Sequence, residues 1–213
     1  CAILVKSLQN PDILVVQDAE ETPDIDTVIT AEMGLQILQQ LALCTTESKE
    51  KLCKLHAHTI VVDVLHAHGG QSIYAANLGA HVFVLLYDTI SALEANEGNT
   101  LACSTIMRLL VQYENANLPF AEVGMCMLKT LTQYKPNQRL LGDNKACAVI
   151  VRLLRGYTLT ERTQNSEHIA MHGLATIARL AEYDALLIRE TTSVDNHTYR
   201  FAHRADREDM VVM

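Results

Sequence analysis

AEVGMCMLKTL, residues 121–131, is the stretch that decides how this chain is built. Ala121, Gly124, Leu128 and Leu131 are spaced by three, four and three residues, the intervals that bring side chains onto one face of an α-helix. The same pattern, A-x-x-G-x-x-x-φ-x-x-L with φ a bulky apolar residue, occurs three more times. It returns as Ala31, Gly34, Leu38, Leu41; as Ala76, Gly79, Phe83, Leu86; and as Ala170, Gly173, Ile177, Leu180. The four glycines recur at offsets of 45, 45 and 49 residues. Glycine costs about 1 kcal/mol relative to alanine inside a helix. Its return at one register therefore predicts a second helix approaching closely at that point.

A second unit keeps step with the first. It reads CAILVKSL from Cys1, HTIVVDVL from His58, CSTIMRLL from Cys103 and CAVIVRLL from Cys147. Each copy runs apolar, carries a charge at its sixth position and closes on a leucine: Leu8, Leu65, Leu110 or Leu154. From each glycine to the start of the next such unit is 24, 24 and 23 residues. The two kinds are called G helices and L helices below. Between a G helix and the next L helix lies a shorter stretch, as in Glu47–Lys54 (ESKEKLCK) or Asn137–Asp143 (NQRLLGD) after Pro136, which reads as a short helix. A repeat of this length signals units that bury their apolar faces only by stacking on one another.

Composition agrees with helices. Of 213 residues, 49% are apolar but only 5% aromatic, with no Trp; nine Gly and four Pro are too few for many short strands and tight turns. The net charge of −8 gives no long-range attraction for a phosphate backbone, so nucleic acid is not an expected partner. No window approaches the roughly 18 apolar residues of a membrane span; Val82–Tyr87 is among the longest runs. Six cysteines stand without a CxxC pair, several inside apolar helical patterns, which suggests reduced thiols and a cytoplasmic setting. The first L unit begins at Cys1 with no short helix before it, and a stack starting there would expose apolar surface. Further sequence before Cys1 is the expectation.

Three helices per ~45 residues, with leucine and alanine at the buried positions, resemble the armadillo repeat. The best match runs from Val123 to Leu154, where GMCMLKTL, KPNQRLL and AVIVRLL resemble an armadillo third helix followed by the first and second helices of the next repeat. The resemblance covers residues 1 to about 190. It implies an all-α fold, a right-handed α-solenoid of about four armadillo-like three-helix repeats within a longer chain. The units would be about 1–43, 44–87, 88–133 and 134–182, with an acidic loop insertion at 10–27 and a C-terminal cap or tail at 191–213. Asp184–Glu190 would begin another short helix, and Tyr199–Asp209 would form a polar capping helix.

The resemblance also implies that the G helices line a concave groove with the residues two before, two after and six after each glycine. These are Glu32, Gln36 and Gln40; Asn77, His81 and Leu85; Glu122, Cys126 and Thr130; Met171, Ala175 and Arg179. Importin-alpha-like members carry Trp at the second of these positions and Asn at the third. Here they read Gln, His, Cys, Ala and Gln, Leu, Thr, Arg, so that mode of cargo binding is not expected. A single basic residue, Arg179, argues against capture of an acidic tail and for a folded or helical protein partner.

Two spacings depart from the repeat. The 10–27 insertion holds Pro11, Pro23, six acids and the apolar run Ile13–Val16; it reads as a solvated loop or as a docking loop for a basic partner. The second, Tyr157–Glu167, is Thr-rich and reads as a plain loop.

Catalytic patterns are sparse. His56, His58, His66 and His68 cluster in sequence, but a helix opening at His58 and ending at His66 would separate those two by about 12 Å. A metal ion needs its ligands at about 2 Å from one centre. His168 and His172 share a helical face, yet Ile169 stands where a zinc-protease helix needs Glu. No phosphate loop or nucleophile elbow occurs.

The expectation is a non-enzymatic scaffold that binds a protein partner in a larger assembly, without cofactor or small-molecule substrate. Such solenoids often serve cytoskeletal or axonemal complexes. The rivals are a chaperone cofactor or regulatory subunit of an ATPase, and a metal-dependent enzyme using the 56–68 histidines.

Overall fold

Alanine and leucine, which lose little in a helix, fill the repeated positions, and the described residues build helices and the turns between them. The structure is a computed structural model describing residues 2–9, 25–90, 99–114, 117–158 and 164–184, with no strand among them. In chain order the helices are α1 (Ala2–Leu8), α2 (Ile25–Cys44), α3 (Thr46–Lys54), α4 (Ala57–His68) and α5 (Ile73–Ile90). Then come α6 (Thr100–Gln112), α7 (Leu118–Leu131), α8 (Lys135–Asp143), α9 (Ala146–Thr158) and α10 (164–184). The L units lie in α1, α4, α6 and α9, the glycine pattern in α2, α5, α7 and α10, and the short helices are α3 and α8.

Local chemistry sets the helix ends. Thr45 caps α3 by accepting from the Ser48 amide at 3.0 Å, Asn99 caps α6 and Asn117 caps α7 in the same way, and Pro119 occupies the first turn of α7 where an amide donor is dispensable. The turns from α3 into α4 and from α8 into α9 are copies of each other. His56 and Lys145 both take left-handed backbone, at φ 55° and 58°, and each is followed by a fully buried alanine, Ala57 or Ala146.

The two sequence motifs meet. A Cβ placed on Gly34 would strike Leu8. On Gly79 it would lie 2.6 Å from Leu65 Cγ, on Gly124 2.8 Å from Leu110 Cδ2, and on Gly173 3.2 Å from Leu154 Cδ2. In every unit the closing leucine of the L helix thus packs on the glycine of the G helix that follows it. The contact survives whatever the connecting length, so both insertions are accommodated between the helices. The alanines of the first three copies and the leucines of the pattern lie in or against one continuous core that runs from Val5 to Leu180, while Ala170 is half-buried.

Helices of like type are also neighbours from one unit to the next. α1, α4, α6 and α9 adjoin in that order, as do α2, α5 and α7, while α3 packs on α2, α4 and α5 and α8 on α6 and α9. α10 joins α7 through Arg179, which donates to the Lys129 carbonyl at 2.8 Å. Between L helices the sixth-position charge reaches backward: Arg108 donates to the His66 carbonyl at 2.9 Å, and Arg152 pairs with Glu114 at 2.5 Å. Gln112 and the Tyr113 hydroxyl bond the Gly70 and Gly69 carbonyls, so α6 satisfies the open C-terminal end of α4. Buried Asn137 ties three units together. Its Nδ2 donates to the Tyr87 hydroxyl and the Leu131 carbonyl, and its Oδ1 accepts from the Asn99 amide at 2.7 Å.

Several boundaries differ from the expectations. The acidic insertion is shorter than 10–27, because α2 begins at Ile25, where Asp26 in the first turn favours the helix N-terminus. Tyr157 and Thr158 continue α9 and 164–167 belong to α10, so most of the second insertion is helix and not loop. His58 and His66 lie inside α4 instead of at its ends. Residues 10–24, 185–190 and 191–213 lie outside the described residues, as does the stretch 91–98, where a short helix of the third unit would fall.

Candidate binding face of the G helices

Successive residues turn by about 100° around a helix. With the glycine facing its L helix, the residues at −2, +2 and +6 point away from that seam. What each one does depends on the next helix in the row.

At −2, two residues are used inside the fold. Glu32 accepts the hydroxyl of Ser72, which itself caps α5 by accepting from the Ala75 amide. Glu122 Oε1 stands 2.6 Å from His168 Nδ1 at the start of α10. Both carboxylates pin the beginning of the following G helix, where negative charge also suits the helix dipole. Asn77, the −2 residue of α5, is half-buried, and its Oδ1 has no hydrogen-bond partner among the described residues. Met171 is exposed.

At +2, Gln36 and His81 are exposed while Cys126 and Ala175 are half-buried. At +6, Gln40 is exposed and Leu85 is half-buried against the core. Arg179 is held on the Lys129 carbonyl. Thr130 corrects the expectation of an exposed position: it is 4% exposed, its short side chain folded back so that Oγ1 donates to the Cys126 carbonyl at 2.9 Å. The twelve positions thus divide into a freely accessible set (Gln36, Gln40, His81, Met171), a half-covered set (Asn77, Leu85, Cys126, Ala175) and residues bonded within the fold (Glu32, Glu122, Thr130, Arg179).

Two features of this face escaped the register argument. Around α2, Met33, Gln36, Ile37, Gln40, Leu41, Leu43 and Cys44 line a shallow hollow of about 640 Å³, so two of the accessible polar residues border an apolar depression. At the other end, His172 joins Glu122, His168 and Lys129. Its pKa is held below the usual histidine value of 6.5, chiefly by burial and further by the charges of Lys129 and His168, with Glu122 acting in the opposite sense. The i, i+4 spacing of His168 and His172 was visible, but not the carboxylate one unit earlier.

The histidines at 56–68 disperse into local contacts. His66 Nδ1 lies 3.2 Å from the Thr105 hydroxyl and His68 Nδ1 lies 3.3 Å from Gln71 Oε1, while His58 and His68 are buried. Among the described residues no group of three His, Cys, Asp or Glu side chains is placed to hold a metal ion. The five described cysteines form no disulfide, and burial pushes the Cys103 thiol up to about 12, far from a reactive thiolate. No helix of the described residues is long and apolar enough to cross a membrane.

Comparison with known proteins finds no family model, no curated protein and no solved structure that matches the chain.

Proposed function

We propose that this chain is a non-enzymatic protein-interaction scaffold, a right-handed α-solenoid of armadillo type that holds a protein partner along its row of G helices. The observation that carries this reading is the contrast on those helices. Their seam side is the same in all four units, while the +2 side chains change in each and those of α2 and α5 are open to solvent. A stack sealed by repeated contacts is stiff, so a partner that docks on it meets a surface losing little conformational entropy. The polar and half-apolar character of Gln36, Gln40, His81, Leu85 and Met171 suits a folded or helical partner better than a highly charged tail. A cytoplasmic setting, in an assembly of several proteins, fits this composition.

The test is charge placement on the exposed positions. Gln36→Glu, Gln40→Glu and His81→Glu, combined in one chain, leave the fold intact because all three side chains face solvent. Partner proteins that co-purify with the unaltered chain, and that cross-link to α2 and α5, are expected to be lost from the triple variant. Full retention of those partners would remove the groove assignment.

A further inference from the structure

Position −1 of each G helix, just before the glycine, belongs to the joint with the preceding unit. In α5 and α7 it holds Leu78 and Val123, both buried and neither able to titrate. In α10 it holds His172, half-buried and within reach of charges on α7. The residue that pins the start of the following helix shows a parallel change. Glu32 of α2 accepts the Ser72 hydroxyl ahead of α5, whereas Glu122 of α7 meets the imidazole of His168. The joint between α7 and α10 is thus built with two histidines where the joint between α2 and α5 has a serine and a leucine.

The two rings are placed unequally. His168 donates from Nδ1 to Glu122 Oε1 at 2.6 Å, a contact that a neutral ring makes as a hydrogen bond and a charged ring as an ion pair. His172 lies one turn further on, its ring centroid 6.4 Å from that of His168. Its Nδ1 is buried without a hydrogen-bond partner among the described residues. A neutral imidazole tolerates this by carrying its hydrogen on Nε2. The charged ring must carry one on Nδ1 as well, where it becomes a buried donor with nothing to receive it.

The surrounding charges press the same way. His172 faces Lys129 and Glu122 on α7 and His168 on its own helix, so one acid stands among three cationic or titratable neighbours and itself. That carboxylate is already taken by His168. α9 meets α10 at Gly173 through Ile150 and Leu154, which bring no charge. Arg179, further along α10, is held on the Lys129 carbonyl.

We propose that the joint between α7 and α10 is an acid-released latch, in which a second proton, taken by His172, loosens α10 from α7 while α2 and α5 stay closed on one another. One carboxylate satisfies one imidazolium. The second charge finds neither a counterion nor an acceptor in the closed joint. Opening α10 gives both ring nitrogens to water, so proton uptake and opening favour each other. The latch is tightest above pH 6.5, where the ring is neutral in either state, and loosens as pH falls below that value until the closed joint also takes the proton. The inference concerns how the fourth unit is held, and it does not depend on what binds the groove.

Hydrogen–deuterium exchange of the full chain, read by mass spectrometry between about pH 7.5 and about pH 5.5 and corrected for intrinsic exchange rates, tests it. Below pH 6.5 the peptides of α10 are expected to lose protection several-fold, with a ceiling of about tenfold per pH unit for one proton. Peptides of α2 and α5 are expected to keep theirs. The loss in α10 disappears in His172→Leu, and also in His172→Gln, which serves if the leucine variant does not fold by circular dichroism. Three results overturn the proposal. They are α10 protection that does not change with pH, loss in α2 and α5 in step with α10, which marks opening of the whole stack, and a decline that persists in a folded His172 variant, which assigns it to another group.

Discussion

Gly79 and His81 stand two residues apart on α5 and obey different rules. Gly79 faces Leu65 across a gap with no room for a methyl group, its counterparts at 34 and 124 meet Leu8 and Leu110 in the same manner, and Gly173 has slightly more room beside Leu154. His81 faces solvent, and its counterparts are Gln, Cys and Ala. The seam has one solution because two backbones must come close enough for a leucine to fill the space, and glycine alone permits that approach. The outer face has many solutions because water accepts any polar side chain. Architecture therefore repeats along this chain, while the outer face changes from unit to unit, in side chains that no repeat can flag.

The sharpest way to break that contrast is at the seam. Leu65→Ala removes a side chain that is 1% exposed, and is expected to cost about 2–5 kcal/mol in urea unfolding. Gly79→Ala forces a methyl group to within 2.6 Å of Leu65 Cγ, a branch point that cannot swing aside as a chain end can, and is expected to cost about 1–3 kcal/mol. Combined, the two should cost less than their sum, because the new methyl enters space that the leucine has left. Strict additivity would show that the leucine and glycine do not fit each other. Gly173→Ala is the milder comparison, since its nearest contacts are three side-chain atoms at 3.1–3.2 Å.

The fold was legible where it repeats. Glycine, alanine and leucine at fixed intervals located all four G helices and their L partners, and Glu47–Lys54 located α3 to within a residue of its start. The sixth-position charge was visible as well, but its purpose was not. Arg108 seeks a backbone carbonyl at the end of the previous L helix, a target without a side-chain signature, and Arg152 seeks an acid beyond the helix it touches. Asp63 at the same register has neither role, and burial raises its pKa. On the candidate face, register correctly pointed Gln36 and His81 outward. It could not show that Glu32 and Glu122 turn aside to hold the next helix, because that depends on Ser72 and His168, which lie 40 and 46 residues away.

Asn137 supplies the next contrast, a polar residue that belongs to the architecture. It is 1% exposed and serves the Tyr87 hydroxyl, the Leu131 carbonyl and the Asn99 amide together. Asn137→Ala takes a partner from the Tyr87 hydroxyl, the Leu131 carbonyl and the Asn99 amide and is expected to cost about 1–3 kcal/mol. His81→Ala, on the outer face, should stay within about 0.5 kcal/mol in the same unfolding experiment. Equal effects at the two sites would erase the distinction between polar groups that build the stack and polar groups that face solvent.

The smallest expected effect lies where seam logic and surface chemistry overlap. Of the four −1 residues, Met33, Leu78, Val123 and His172, only the last titrates near neutrality. It faces α7, where burial together with the charges of Lys129 and His168 keeps its pKa below 6.5 despite the nearby Glu122 carboxylate. In the unfolded chain the same ring takes its proton near 6.5. Below that pH the unfolded state binds a proton that the folded state resists, so stability falls as pH drops from 6.5 toward the folded pKa and levels off beneath it. The His172→Leu variant, which places at this register the residue that α5 has at 78, should lose that decline. The chain has nine histidines, so the informative quantity is the difference between the two curves of melting temperature against pH, in which those other than its neighbour His168 cancel. Above pH 6.5 the difference should be flat, and below it the variant should gain on the unaltered chain until the difference levels off beneath the folded pKa. Parallel curves throughout would mean that His172 accepts its proton in the folded state as readily as in water, and that the joint between α7 and α10 is wetter than its geometry requires.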